Sequence, residues 1–196
     1  MKILGVPGSL RRESYNRMLL QAAAELLPEG VELELFEELK ALPPYDEDDE
    51  WGPVPASVTR LREALAGADA VLFATPEYNH SIPGQLKNAL DWISRPPGTS
   101  PLRNKPVAVV GASQGGFGAV WAQADLRRVL AAIGARVLDA ELPVAHAHTR
   151  FDPDGTLTDE SVREQLGEIV GSLVAESRPP VAAAAAAAAA ASTTSR

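Results

Sequence analysis

The sequence predicts an α/β fold in which a parallel five-stranded sheet lies between two layers of helices. Three observations point there. Apolar runs of strand length alternate with stretches of helical period through residues 1 to 178. The strand-like runs are rich in Val, Leu and Ile with little polar alternation, as strands covered on both faces are. Strict alternation also demands crossover connections, and these join parallel neighbours.

In chain order, the strands read as Lys2 to Val6, Val31 to Phe36, Asp69 to Ala74, Pro106 to Gly111 and Arg136 to Leu142. Between them, helical stripes recur at Leu19, Ala22, Ala23 and Leu26, at Val58, Leu61 and Leu65, and at Leu86, Ala89, Leu90 and Ile93. Two more run through Ala122, Leu126, Val129, Leu130 and Ile133, and through Val162, Leu166, Ile169, Val170 and Leu173. Gly30, Gly67 and Gly134 read as helix stops, and Ser161 with Glu164 as a capping box. The consecutive acids Asp46, Glu47, Asp48, Asp49 and Glu50 lack periodicity and read as a solvated loop. Pro179 to Arg196, two prolines and a run of ten alanines before a short polar end, reads as a low-complexity tail outside the domain. One domain over 1–178 remains.

Composition narrows the function. The 196 residues carry 18 basic and 26 acidic side chains, a net charge of -8, which argues against a nucleic-acid partner bound through a basic face. With no cysteine, thiol chemistry and cysteine-ligated metals are excluded, so redox chemistry would have to arrive on a bound cofactor. No apolar stretch reaches the length of a membrane span, and the start has no secretory apolar core, so a cytoplasmic protein without a membrane partner is expected.

A doubly wound sheet of order 2-1-3-4-5, the flavodoxin-like arrangement, places ligands beyond the carboxyl ends of the strands flanking the switch in winding. The loop after strand one, Pro7 to Asn16, joins a glycine, Arg11, and the side-chain donors Ser9, Ser14 and Asn16 to a helix N-terminus, a pocket for a terminal phosphate. Its plain alternative is a capped turn with Ser14 or Asn16 as N-cap. A Walker A loop is absent and G-x-G-x-x-G fails at Pro7, which favours a mononucleotide. The loop after strand three, Thr75 to Gly84, offers Tyr78 as a stacking surface and Asn79 and Ser81 as polar groups for a flat heteroaromatic ring. In the helix beyond, Trp92 reads as packing and Lys87 with Asp91 as an i,i+4 pair.

Gly8-Ser9-Leu10-Arg11, Ser14 and Asn16, followed by Pro76 to Gly84, Leu86-Lys87-Asn88-Ala89 and Asp91-Trp92, closely resemble the NADPH-dependent FMN reductases. The resemblance implies a flavodoxin-like fold, bound FMN, NADPH or NADH as electron donor, and a homodimer or homotetramer. It implies cofactor contacts from Ser9, Arg11, Ser14 and Asn16, from Pro76, Glu77, Tyr78, Asn79 and Ser81, and from Ser113, Gln114, Gly115 and Gly116 after strand four. The acceptor would be a small molecule: a quinone, free flavin, azo compound or metal oxyanion. No side chain is expected to be catalytic in itself, because the flavin is the reactive centre. The rival readings are an electron carrier on the same site and a regulatory flavin-binding domain. Relatives often have arginine where this chain has Trp121, a departure that bears on nucleotide preference and assembly. Glu77 is placed to polarise the site or touch another subunit, and His80, beside the ring loop, reads as a positioning or surface residue ahead of an acid-base catalyst. His146 and His148 alternate as a strand-face pair would, but without a third ligand no metal site is expected.

Overall fold

The computed structural model describes residues 1–177; Arg178 and the alanine-rich stretch 179–196 lie outside the described residues. Strands β1 (Lys2–Pro7), β2 (Glu32–Leu35), β3 (Ala70–Ala74), β4 (Pro106–Ala112) and β5 (Arg136–Val137) form one parallel sheet of order β2-β1-β3-β4-β5. The helices between them are α1 (Tyr15–Glu25), α2 (Ala56–Ala66), α3 (Gly84–Ile93), α4 (Val120–Ile133) and α5 (Glu160–Ser177).

Successive side chains along the central strands enter opposite layers, as the two-residue pleat requires. Ile3, Leu72, Ala108 and Val110 pack with Leu19, Leu20, Leu166, Ile169 and Leu173 of α1 and α5. Their neighbours Leu4, Val71, Phe73, Val107 and Val109 pack with Val58, Leu61 and Leu65 of α2, Leu86, Leu90 and Ile93 of α3, and Leu126 and Leu130 of α4. The unbroken apolar runs thus reflect burial on both faces rather than a single hydrophobic side.

The fifth strand is shorter than its sequence suggests. Only Arg136–Val137 pair with the start of β4, and a separate strand β6 (Pro143–Val144) pairs with its end. Val107 faces Val137 and Gly111 faces Pro143, so a four-residue advance along β4 meets a six-residue advance on its neighbour. The intervening segment leaves the ladder, and Asp139 and Glu141 turn out to bind Arg127 of α4 at 2.5 and 2.7 Å. Buried Gln123 of α4 anchors its return, accepting from the Leu142 amide at 3.2 Å and donating to the Gly118 carbonyl at 3.1 Å.

Three smaller expectations change. The acidic run forms a short 3-10 helix, Glu47–Trp51, started by Asp46, whose carboxylate accepts from the Asp48 amide at 3.0 Å. Its Glu50 accepts from the Tyr45 hydroxyl, and that bond pushes the phenol up to about 12. Gly134 ends α4 at φ 97 and Gly67 ends α2, but Gly30 stands in the turn before β2, beyond the α1 cap at Leu26. At the start of α5 the cap is Asp159, which accepts from the Val162 amide at 3.0 Å, so Ser161 lies inside the helix.

That amide bond, reinforced by Arg150, holds the Asp159 carboxyl below its ordinary value of 3.8. A depressed carboxylate stabilises the fold above its unfolded pKa and loses that contribution as pH falls through the folded one. The melting-temperature gap between the native protein and Asp159→Asn should therefore close as pH is lowered through and below 3.8. A gap independent of pH would refute this. A second outcome concerns the loop after β4. Gly118 has φ 58, and a Cβ there would lie 2.3 Å from the Pro143 carbonyl carbon on β6. Gly118→Ala should lower unfolding free energy by roughly 2 to 4 kcal/mol in urea titration, because left-handed strain and a backbone clash act together.

Candidate functional site

Three loops meet at the carboxyl ends of β1, β3 and β4. The first leaves β1 at Gly8, whose amide donates to the Ala74 carbonyl at 2.8 Å. A Cβ on Gly8 would come 2.9 Å from Leu86 of α3, so this glycine answers to packing beneath the loop. The chain then runs over the surface through Arg11 and enters α1 at Ser14, whose hydroxyl accepts from the Asn16 amide at 3.2 Å. Asn16, 2% exposed, donates through Nδ2 to the Ala112 carbonyl and accepts at Oδ1 from the Ala112 amide, both at 2.9 Å. Its side chain ties the start of α1 to the end of β4 rather than offering a free donor. The Arg11 guanidinium lies over the Tyr15 ring at 5.4 Å from the centroid.

The second loop makes a tight hairpin. Tyr78 and Ser81 exchange backbone hydrogen bonds of 3.0 and 3.2 Å around Asn79 and His80, both left-handed at φ 53 and φ 60. Positive φ at both central residues is the two-residue turn that matches strand twist. The Ser81 hydroxyl donates to Asp125 of α4 at 2.8 Å, which holds that carboxyl below its ordinary range. Glu77 reaches the same helix: its Oε2 accepts from the Trp121 and Ala122 amides at 3.1 and 3.2 Å. Residue Ala119, the N-cap position of α4, is left-handed and supplies no side-chain bond, so Glu77 caps α4 from another loop.

These loops enclose a cleft of about 340 Å³, within the range of small-ligand sites. Ser9, Arg11, Ser14 and Asn16 line one part, Pro76, Glu77 and Tyr78 another, and Ser113 and Gln114 a third. Four residues expected at the cofactor stand outside this lining. Asn79 occupies the hairpin turn, Ser81 faces Asp125, Gly115 bonds through its carbonyl to the His146 amide at 3.1 Å, and Gly116 sits near the His146 ring. Tyr15 and Ala112 join the lining without having been expected. Tyr15, directly after an N-cap serine and four residues past an arginine, carried a readable signal; Ala112 did not.

The remaining candidates are also placed. Trp92 is buried and its indole N–H donates to the Pro43 carbonyl at 2.9 Å, while Lys87 and Asp91 pair at 2.7 Å as their spacing suggests. His146 is left-handed at the entry to a 3-10 helix, Ala147–Thr149, so it and His148 share no strand face. Among the described residues no group of three or more His, Cys, Asp or Glu is placed to hold a metal ion, and no helix is long and apolar enough to cross a membrane.

The model of a known family, described as NADPH-dependent FMN reductase, matches residues 1–149. The chain belongs to that family. Among similar proteins, an NAD(P)H-dependent FMN reductase of Pseudomonas aeruginosa is 44% identical over 174 residues, which covers 88% of this chain and 93% of the relative. A 2-hydroxy-1,4-benzoquinone reductase of a Burkholderia species is 40% identical over 167 residues, or 85% and 90% of the two chains. The structure of the Paracoccus denitrificans flavoenzyme FerB, an NAD(P)H:(acceptor) oxidoreductase, superposes with a TM-score of 0.79 at 36% identity, covering 90% of this chain and 96% of that one.

The capping role of Glu77 has a measurable result. Glu77→Ala should lower unfolding free energy by about 1 to 2 kcal/mol, the usual scale for a lost N-cap, whereas Glu77→Gln, which keeps an acceptor oxygen, should lose less. Equal losses in urea titration would contradict the assignment.

Proposed function

We propose that the protein is an FMN-dependent NAD(P)H oxidoreductase that reduces small organic acceptors, quinones foremost. The observation that carries the reading is the polarity of the cleft. Its lining joins Arg11, Ser9 and the capped start of α1, a combination suited to a phosphate dianion, to Pro76 and the half-exposed ring of Tyr78. A phosphate joined to a flat ring matches both sets. When bound, FMN supplies a centre able to take a hydride equivalent from a nicotinamide and to give two electrons to an acceptor. With a quinone the balance is NAD(P)H, a proton and quinone going to NAD(P)+ and hydroquinone.

The protein's own residues bind and orient. Tyr15 beneath the Arg11 guanidinium restrains its long side chain, so less freedom is lost when an anion arrives. The Asn16–Ala112 bridge sets the spacing between the phosphate end and the Ser113–Gln114 wall. The Glu77 carboxylate is held by the helix amides it caps, which fixes Oε2 on the start of α4 at the positive end of its dipole. Asn79, Ser81, Gly115 and Gly116 act at one remove in this reading, shaping the loops that present Tyr78 and Ser113. Names of relatives support the acceptor class, since one is a benzoquinone reductase. We also infer a cytoplasmic homodimer or homotetramer, which light scattering of the purified protein would test.

Reconstitution with FMN should give a yellow protein with one flavin per chain, bleached by NADPH or NADH and reoxidised by quinone. Failure to retain FMN would overturn the reading. Arg11→Ala should weaken FMN by about tenfold to a hundredfold, the scale of a charge-assisted contact, and leave riboflavin nearly unaffected. Equal losses for the two ligands in fluorescence titration would remove Arg11 from the phosphate.

A further inference from the structure

Beside the cleft lies a group of exposed rings that the cofactor does not account for. Trp121, at the first turn of α4, is 39% exposed, and Phe117, in the loop after β4, is 66% exposed. The Phe117 and Trp121 centroids are 4.8 Å apart with planes at 58°, and the His80 ring meets Trp121 at 4.5 Å and 88°. Two separate segments, the hairpin after β3 and the turn from β4 into α4, therefore deliver one aromatic corner. It is held firmly: Glu77, which lines the cleft, accepts from the Trp121 amide through Oε2 and approaches His80 Nδ1 through Oε1 at 3.5 Å. Gly118 and Ala119, both left-handed, turn the chain sharply between Phe117 and α4.

Resting on the FMN-dependent reading, we propose that Phe117, Trp121 and His80 form the acceptor platform, and that Trp121 selects flat, uncharged, fused-ring acceptors such as naphthoquinones. Rings set at right angles offer a planar guest a face and an edge together, the two favourable aromatic geometries. Both His80 and Phe117 lie close to Trp121, at 4.5 and 4.8 Å centroid to centroid, so the corner presents more than one ring and a two-ring acceptor has more apolar surface to lay on it than benzoquinone does. No lysine or arginine belongs to the corner, which leaves anionic acceptors without a partner there. Continuity with the cleft through Glu77 and Tyr78 puts such an acceptor next to the flavin site rather than at a remote surface.

The test compares the native protein with Trp121→Ala, Trp121→Phe and Trp121→Leu, each with its flavin content measured by absorbance. NADH-driven reduction of 1,4-naphthoquinone, p-benzoquinone and ferricyanide is followed in each. In Trp121→Ala the ratio of naphthoquinone to ferricyanide kcat/KM should fall about fivefold or more, mainly through KM, as loss of an aromatic contact predicts. Trp121→Phe should recover most of that ratio and Trp121→Leu little. Equal changes for all three acceptors, or recovery by Leu matching that by Phe, would overturn the proposal. So would an altered mass in light scattering with an unaltered acceptor preference, since a second copy would then cover the corner. A flavin-independent arm separates this from the cofactor reading: naphthoquinone should quench the tryptophan fluorescence of flavin-free native protein more strongly than that of Trp121→Leu. Equal quenching counts against the platform, whereas failure to hold FMN counts against the cofactor.

Discussion

A buried amide pair holds the site together. Asn16 reads both hydrogen-bonding groups of Ala112, and in doing so it welds the first turn of α1 to the last residue of β4. These segments are 96 residues apart in the chain. Neither loop could keep its shape alone, because a helix start and a strand end each leave backbone groups without regular partners. The asparagine completes both at once, in a place where an unsatisfied group would be heavily penalised. The cleft is therefore a product of the same contact that closes the sheet onto α1.

Glu77 does similar work across the other half. A helix that begins on two left-handed residues has no side chain of its own to satisfy its first amides, and the carboxylate from the loop after β3 fills that need. The position of α4, the hairpin at Asn79 and His80, and the aromatic corner are consequently coupled. Ser81 adds a second tie between the hairpin and α4 through Asp125. This shared anchoring explains why residues that do not line the cleft still belong to its architecture.

The sheet order and all five helices were legible because doubly buried strands and amphipathic helices follow simple periods, visible in runs such as Val107 to Val110 and in the Leu126–Leu130 stripe. Nine of the thirteen expected cofactor residues line the cleft, since loop position at a winding switch follows from topology. What escaped the sequence depended on contacts between distant segments. Nothing near Asn16 announces Ala112, and nothing near Glu77 announces the amides of α4. The break in the fifth strand was equally hidden: Arg136 to Leu142 has a plausible strand pattern, and only the pull of Arg127 and Gln123 from α4 takes its second half out of the ladder.

That break also bears on solubility. Parallel sheets end in two open edges, and an uninterrupted edge strand is a template for a neighbouring chain. Here one edge is split into β5 and β6, two residues each, between which the chain swings away and carries Asp139 and Glu141 to Arg127. The other is β2, where Glu32 and Glu34 punctuate a four-residue strand. With both margins short, the sheet offers little for edge-to-edge polymerisation, and the charged side chains along them make each a poor template for amyloid-like growth.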